Sequence, residues 1–208
     1  MSGPTVAAFD FDGTLSRRDT FLPFLQRLCG AQRLYGALAR SMAVGRAGRD
    51  AVKDGLLLRL LAGRDAAEVD QAGAEYAAFL AGSSRLRPDT LSRAEEHRGR
   101  GHLLVIVSAS PEVYLAPLGE QLGFDAVMAT RLEVADDRRL TGRMTGPNCR
   151  GPEKVARLEE WLAARLGPGG ERPHVFAYGD SAGDRELLAR ADVATRVRPR
   201  QALRDLSA

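Results

Sequence analysis

Residues 6–15 read VAAFDFDGTL, an unbroken apolar run that empties into two carboxylates, Asp10 and Asp12, with one residue between them. Four consecutive apolar side chains leave no polar face. The run therefore predicts a short buried strand, and Asp12-Gly13 predicts a tight loop directly after it. In an open α/β sheet the carboxyl end of a central strand stands at the crevice where ligands bind. Two carboxylates in that crevice repel each other, so they favour a shared proton or a divalent cation. An Asp-Gly turn with no chemistry satisfies the same letters. A calcium loop fits less well, because its glycine belongs at the sixth position and Gly13 is the fourth residue counted from Asp10.

Length and composition narrow the context. A chain of 208 residues, 44% hydrophobic and 27% charged, can bury one sizeable core, or one core and a small inserted module. Cys29 and Cys149 lie far apart, which gives neither a disulfide framework nor metal-ligand spacing and predicts reduced thiols in a cytoplasmic protein. No apolar stretch approaches the length of a membrane span. A net charge of +3 is too small to predict nucleic-acid binding, and no obligate protein partner is evident.

From about residue 20 to 99 strand signals nearly vanish, while apolar residues recur at helical spacing: Phe21, Phe24, Leu25 and Leu28, then Leu34, Leu38 and Met42. Segments 52–62 and 66–80 continue the pattern, so four short helices are expected before a fifth at 88–100. Between Arg27 and Lys53 six basic residues stand against one acid, Asp50. They form either a solvated helical face or a surface that attracts an anionic substrate or membrane.

Residues 103–107, LLVIV, give the clearest buried strand, and it ends in Ser108-Ala109-Ser110-Pro111. Ser110 suits an N-cap and Pro111 the first helical position, which leaves Ser108 as the donor for an anion at the strand end. A strand at 125–130 and a hairpin at 131–145 beside the sheet follow. Gly151-Pro152 opens a helix with Lys154 in its first turn, opposing the helix dipole. A last pair of strands, 174–178 and 193–197, brackets Gly179-Asp180-Ser181-Ala182-Gly183-Asp184, and a closing helix is expected after Pro199. The pattern is alternating β/α. His97, His102 and His174 share no spacing with an acid or cysteine and read as structural.

Four separated elements, Asp10-Phe11-Asp12-Gly13-Thr14, Ser108, Lys154 and the 179–184 segment, resemble in order the haloacid dehalogenase (HAD) superfamily, subfamily IB, in its phosphoserine phosphatase-like branch. SASPE and GPNCRGPEK are similar to a bacterial subgroup that includes phosphatidylglycerophosphatase C. The resemblance implies a Rossmann-like core with a parallel sheet at 1–18 and 88–208, and a small all-helical cap of C1 type at 19–87. It also implies a Mg2+-dependent phosphatase in which Asp10 forms an aspartyl-phosphate and Asp12 serves as acid and base. Magnesium would be held by Asp10, the Asp12 carbonyl and Asp180, with Asp184 behind them. Thr14, Ser108, Ala109 and Lys154 would hold the phosphate. Asp19 and Arg49 would read the leaving group, which is expected to be a small anionic or lipid phosphomonoester, with peripheral membrane contact as one way of reaching it. The alternatives are a phosphomutase or phosphotransferase of the same fold, and a non-catalytic protein that binds anionic lipid.

Overall fold

The computed structural model describes residues 3–42, 48–167, 170–198 and 203. Its centre is a five-stranded parallel sheet in the order β3-β2-β1-β6-β7, formed by β1 (Thr5–Phe9), β2 (Leu103–Pro111), β3 (Ala126–Thr130), β6 (His174–Gly179) and β7 (Val193–Arg196). Because β1 is central and parallel on both sides, its side chains are covered on both faces. Val6 and Ala8 pack against Leu158 and Leu162 of α7 (Pro152–Leu166) and Leu187 of α8 (Arg185–Arg190). Ala7 and Phe9 face the opposite way, where the Phe9 ring stacks on Tyr178 at 4.4 Å. These burials explain why β1, β2 and β6 read as apolar runs rather than as alternating strands.

The chain passes from β1 to β2 and β3 on one side, then returns to β6 and β7 on the other. The reversal brings the carboxyl ends of β1, β2 and β6 together at one crevice. Helices α5 (Pro88–Gly99) and α6 (Glu112–Gln121) complete the crossovers on the β2 side.

Between β1 and α5 lie four helices: α1 (Phe21–Cys29), α2 (Ala31–Met42), α3 (Arg49–Leu61) and α4 (Ala66–Ala81). The two connections to this cap run side by side. Arg17 N–H donates to Arg85 O, Arg87 N–H donates to Leu15 O, and Ser16 bridges to Leu86. The cap sits closely on the core, since a Cβ at Gly73 of α4 would stand 2.3 Å from the Val113 carbonyl oxygen of α6.

Two expectations change. The hairpin of β4 (Leu132–Val134) and β5 (Leu140–Met144) is a separate sheet that docks on the cap rather than beside the central sheet. Gly63 N–H donates to Leu140 O and Ala66 N–H to Arg138 O, so the α3–α4 turn supplies the hairpin's outer partners. Ser110 is no N-cap: β2 continues through it, α6 begins one residue beyond Pro111, and its hydroxyl is used elsewhere. The helix expected after Pro199 lies outside the described residues.

Candidate active site

Four strand and helix ends converge on one cavity of about 690 Å³ lined by Asp10, Asp12, Asp19, Ser108, Ala109, Lys154, Asp180 and Asp184, among others. Asp10 emerges from β1 with its backbone N–H held by the Tyr178 carbonyl of β6. Its Oδ1 accepts from Lys154 Nζ at 2.6 Å, and the same ammonium donates to Asp184 Oδ1 at 2.6 Å. This explains why a lysine stands in the first turn of α7 against the dipole. It is 2% exposed and neutralises carboxylates from two other elements.

The carboxylate oxygens of Asp10, Asp180 and Asp184 lie within 4.8 Å of one another. Lys154 contacts two of these three acids, Asp10 and Asp184, which leaves a net negative cluster suited to a hard divalent cation. Asp184 is committed within the protein, with Oδ1 taking Lys154 and Oδ2 taking the Ser181 hydroxyl and the N–H groups of Asp180 and Ser181. Asp180 Oδ1 is buried without a hydrogen-bond partner. An orphaned carboxylate oxygen beside two more carboxylates fits an oxygen-seeking metal such as magnesium, with Asp184 orienting the ligands from behind.

Asp12 stands apart from that cluster in its bonding. Its Oδ1 accepts from Thr20 N–H at 2.9 Å and the Thr20 hydroxyl at 2.7 Å, and its Oδ2 from the Ser110 hydroxyl at 2.5 Å. The Thr20 hydroxyl in turn meets Tyr114 OH at 3.1 Å. Burial pushes Asp12 up to about 6, with Asp19 adding to the rise and the Ser110 and Thr20 bonds opposing it. That value suits a group that must both give and take a proton near neutrality. Burial pushes Asp10 up to about 7, with Lys154 pulling it down and Asp184 pushing it up. Burial works against a charged Lys154, yet Asp10 and Asp184 outweigh it and hold the ammonium well above its usual range.

The other candidate residues fall into place unevenly. Ser108 is 1% exposed and its Oγ accepts the Ser110 N–H, a local turn that shapes the strand end. Thr14 is fully buried and absent from the cavity lining, with a hydroxyl that has no partner. Asp19 lines the cavity while its Oδ2 accepts Leu22 N–H. The side chain of Arg49 lies outside the described residues. Of the basic run, Arg27, Arg33 and Arg40 are exposed and stay out of the lining, Arg27 sitting over Phe79 at 4.7 Å instead. Arg46 lies outside the described residues.

Lys53 is the described member of that run that enters the site. Its ammonium donates to Ala109 O at 2.5 Å, Asn148 Oδ1 at 2.6 Å and Thr130 Oγ1 at 3.2 Å, while Asn148 Nδ2 donates to Asp50 Oδ1 at 2.7 Å. The cap thereby grips the ends of β2 and β3 and the loop that precedes α7. Burial lowers Lys53 to about 8, with Asp50 partly restoring it. Sequence reasoning passed over Thr20, Thr130 and Asn148. A threonine before an amphipathic helix reads as a cap, and nothing in the letters says that its hydroxyl turns back to Asp12.

Residues 7–189 match the sequence family described as haloacid dehalogenase-like hydrolase. The chain is 37% identical over 193 residues to protein CicA of Caulobacter vibrioides, spanning 91% of this chain and 84% of that protein. Over 146 residues it is 32% identical to a phosphoserine phosphatase of Streptomyces coelicolor, 70% of this chain and 33% of that one. A protein of unknown function from Bordetella pertussis Tohama I superposes with a TM-score of 0.76 at 26% identity, over 93% of this chain and 89% of the other.

Proposed function

Because the chain belongs to the haloacid dehalogenase-like hydrolase family, we propose that it is a magnesium-dependent phosphomonoester hydrolase with Asp10 as nucleophile and Asp12 as acid and base. The observation that carries this reading is the division between the two carboxylates. Asp10 joins the Lys154, Asp180 and Asp184 cluster, whereas Asp12 is turned to Thr20 and Ser110. Asp10 is held against the Lys154 ammonium at the place a cation would bind, whereas Asp12 is held by hydroxyl and amide donors and has no cation against it among the described residues.

In the first step an Asp10 oxygen attacks phosphorus, the bond from phosphorus to the ester oxygen breaks, and Asp12 gives its proton to the departing alkoxide. In the second step Asp12, now ionised, takes a proton from water whose oxygen attacks the aspartyl-phosphate. Inorganic phosphate leaves and Asp10 is restored. Asp10, Asp180 and the Asp12 carbonyl would hold magnesium, which supplies charge screening between the phosphoryl oxygens and the attacking carboxylate. Lys154, the Ser108 hydroxyl and the backbone at Ala109 would steady the phosphate, whereas Thr14, buried outside the cavity lining, would support the turn behind them.

The test is turnover of p-nitrophenyl phosphate with magnesium and with a chelator, in wild type, Asp10→Asn and Asp12→Asn. Asp10→Asn should lose roughly 10³-fold or more. Asp12→Asn keeps the nucleophile and should accumulate a phosphoenzyme, visible by mass, while slowing turnover roughly 10²- to 10⁴-fold. Turnover near wild type in Asp10→Asn contradicts the mechanism.

A further inference from the structure

The cavity above Asp10, at about 690 Å³, is far larger than a phosphoryl group requires, so its other walls must face the leaving group. The wall that the cap supplies is hydrocarbon: Phe21 and Leu22 of α1, Leu38 and Met42 of α2, Val52 and Leu56 of α3. The charged cap residues in that lining have partners within the protein. Lys53 gives its protons to Ala109 O, Thr130 Oγ1 and Asn148 Oδ1, Asp50 accepts the Asn148 amide, and Asp19 accepts Leu22 N–H. Arg17 and Arg18 also border the cavity but are exposed, and exposed cations discriminate weakly; the half-buried Arg150 enters from the core, beside Gly183 and next to Asp184, opposite the cap wall.

A leaving group rich in hydroxyl, ammonium or carboxylate groups would lose water against this wall and find few partners, which is costly. A hydrocarbon leaving group would gain by burial. The apolar surface also continues outward. Tyr35, 61% exposed, and Met42, 64% exposed, flank Leu38 on one face of α2 at spacings of three and four residues.

We infer that the site takes the phosphate monoester of an aliphatic or aryl alcohol that carries no charge near the ester, whether a dissolved alcohol phosphate or a lipid. The inference rests on the phosphomonoesterase reading above and refines it. The experiment measures kcat/KM of the full chain with magnesium for a series of straight-chain alkyl phosphates, with phosphoserine and glucose 6-phosphate as polar comparators.

Each methylene that reaches the wall should raise kcat/KM by up to about fourfold, and the polar comparators should fall below the longer members. Met42→Gln and Leu38→Asn should flatten the dependence on chain length. This readout is a ratio within each variant and does not depend on how much of it is folded. A flat series, or a polar comparator above the longest alkyl phosphate, overturns the inference while leaving the phosphatase intact. Failure to hydrolyse any compound overturns the phosphatase reading as well. A second arm presents phosphatidic acid in phosphatidylcholine vesicles. Turnover there above the soluble series assigns the lipid form, and a chain-length slope without vesicle turnover assigns the soluble form, each upholding the class.

Discussion

Replacing Lys154 by Met removes one charge from the least solvated part of the molecule while nearly preserving shape. Lys154 is 2% exposed and contacts Asp10 and Asp184 at 2.6 Å each. Without it, Asp10, Asp180 and Asp184, whose oxygens lie within 4.8 Å, have no cation in contact. Two unit charges at that separation repel by about 3–4 kcal/mol at an effective dielectric of 20, and removing one partner of a buried ion pair costs roughly 3–5 kcal/mol. In the presence of a chelator the variant should therefore unfold roughly 3–5 kcal/mol more easily, a fall in Tm of about 6–20 °C for a chain of this size. Magnesium should then stabilise the variant more than the wild type, because the ion meets the same carboxylates without a competing ammonium. Urea unfolding in chelator and in a magnesium series reads both effects. A variant within 1 kcal/mol of wild type in chelator, or an equal magnesium response in the two proteins, would refute the charge argument.

Two further outcomes follow from single residues. Gly13 has φ +86°, and a Cβ there would stand 2.3 Å from Asp180 Oδ2, so Gly13→Ala should cost about 1–2 kcal/mol of stability but roughly 10²-fold in activity by displacing a carboxylate at the reacting centre. Magnesium affinity, read by titration, should fall with it. His97 is fully buried between Tyr178 OH at 2.7 Å and His102 at 2.8 Å, and burial lowers it from 6.5 to about 3, with His102 and nearby arginines assisting. Its folded pKa lies below its unfolded one, so the stability it contributes is present above about pH 6.5 and is lost progressively as pH falls toward 3. The stability difference between wild type and His97→Gln should shrink by about 1.4 kcal/mol per pH unit below 6.5. The opposite contributions of Asp10 and Asp12, whose folded values are raised, are common to both proteins and cancel. A difference that stays constant from pH 8 to 5 contradicts this account.

What was legible in the sequence was whatever burial on both faces or a single helical period imposes. The runs at 6–9, 103–107 and 174–178 became β1, β2 and β6 because central parallel strands admit no polar face. Asp10, Asp12, Asp180 and Asp184 were legible because acids at strand ends are unusual unless something holds them. What was not legible was the choice among partners for a versatile side chain. Ser110 before a proline has the letters of a helix cap, yet β2 runs four residues further than its apolar run at 103–107 suggests, and the hydroxyl meets Asp12 across 98 residues of chain. Likewise the hairpin was visible in its turn, but its docking on the α3–α4 turn depends on backbone bonds of Gly63 and Ala66 that carry no side-chain signature.

The cap helix α2 shows how one pattern can serve two surfaces. Leu34, Leu38 and Met42 look like a single core stripe because they recur every four residues, but at 3.6 residues per turn each step of four advances about 40° around the axis. Over eight residues the stripe has turned roughly 80°. Leu34 is accordingly buried within the cap at 3% exposure, Leu38 is partly covered, and Met42 at 64% exposure faces the cavity and solvent. The residues that keep to the buried face are Leu34, Ala37 and Ser41. The two arginines of α2, Arg33 and Arg40, occupy the remaining arc, exposed and outside the cavity lining, so their charge does not line the space around the reacting phosphate. Under the substrate class inferred above, the leaving group would meet the apolar residues of α2 that have drifted off the core face, Leu38 and Met42, a surface that the four-residue spacing alone does not separate from the core stripe.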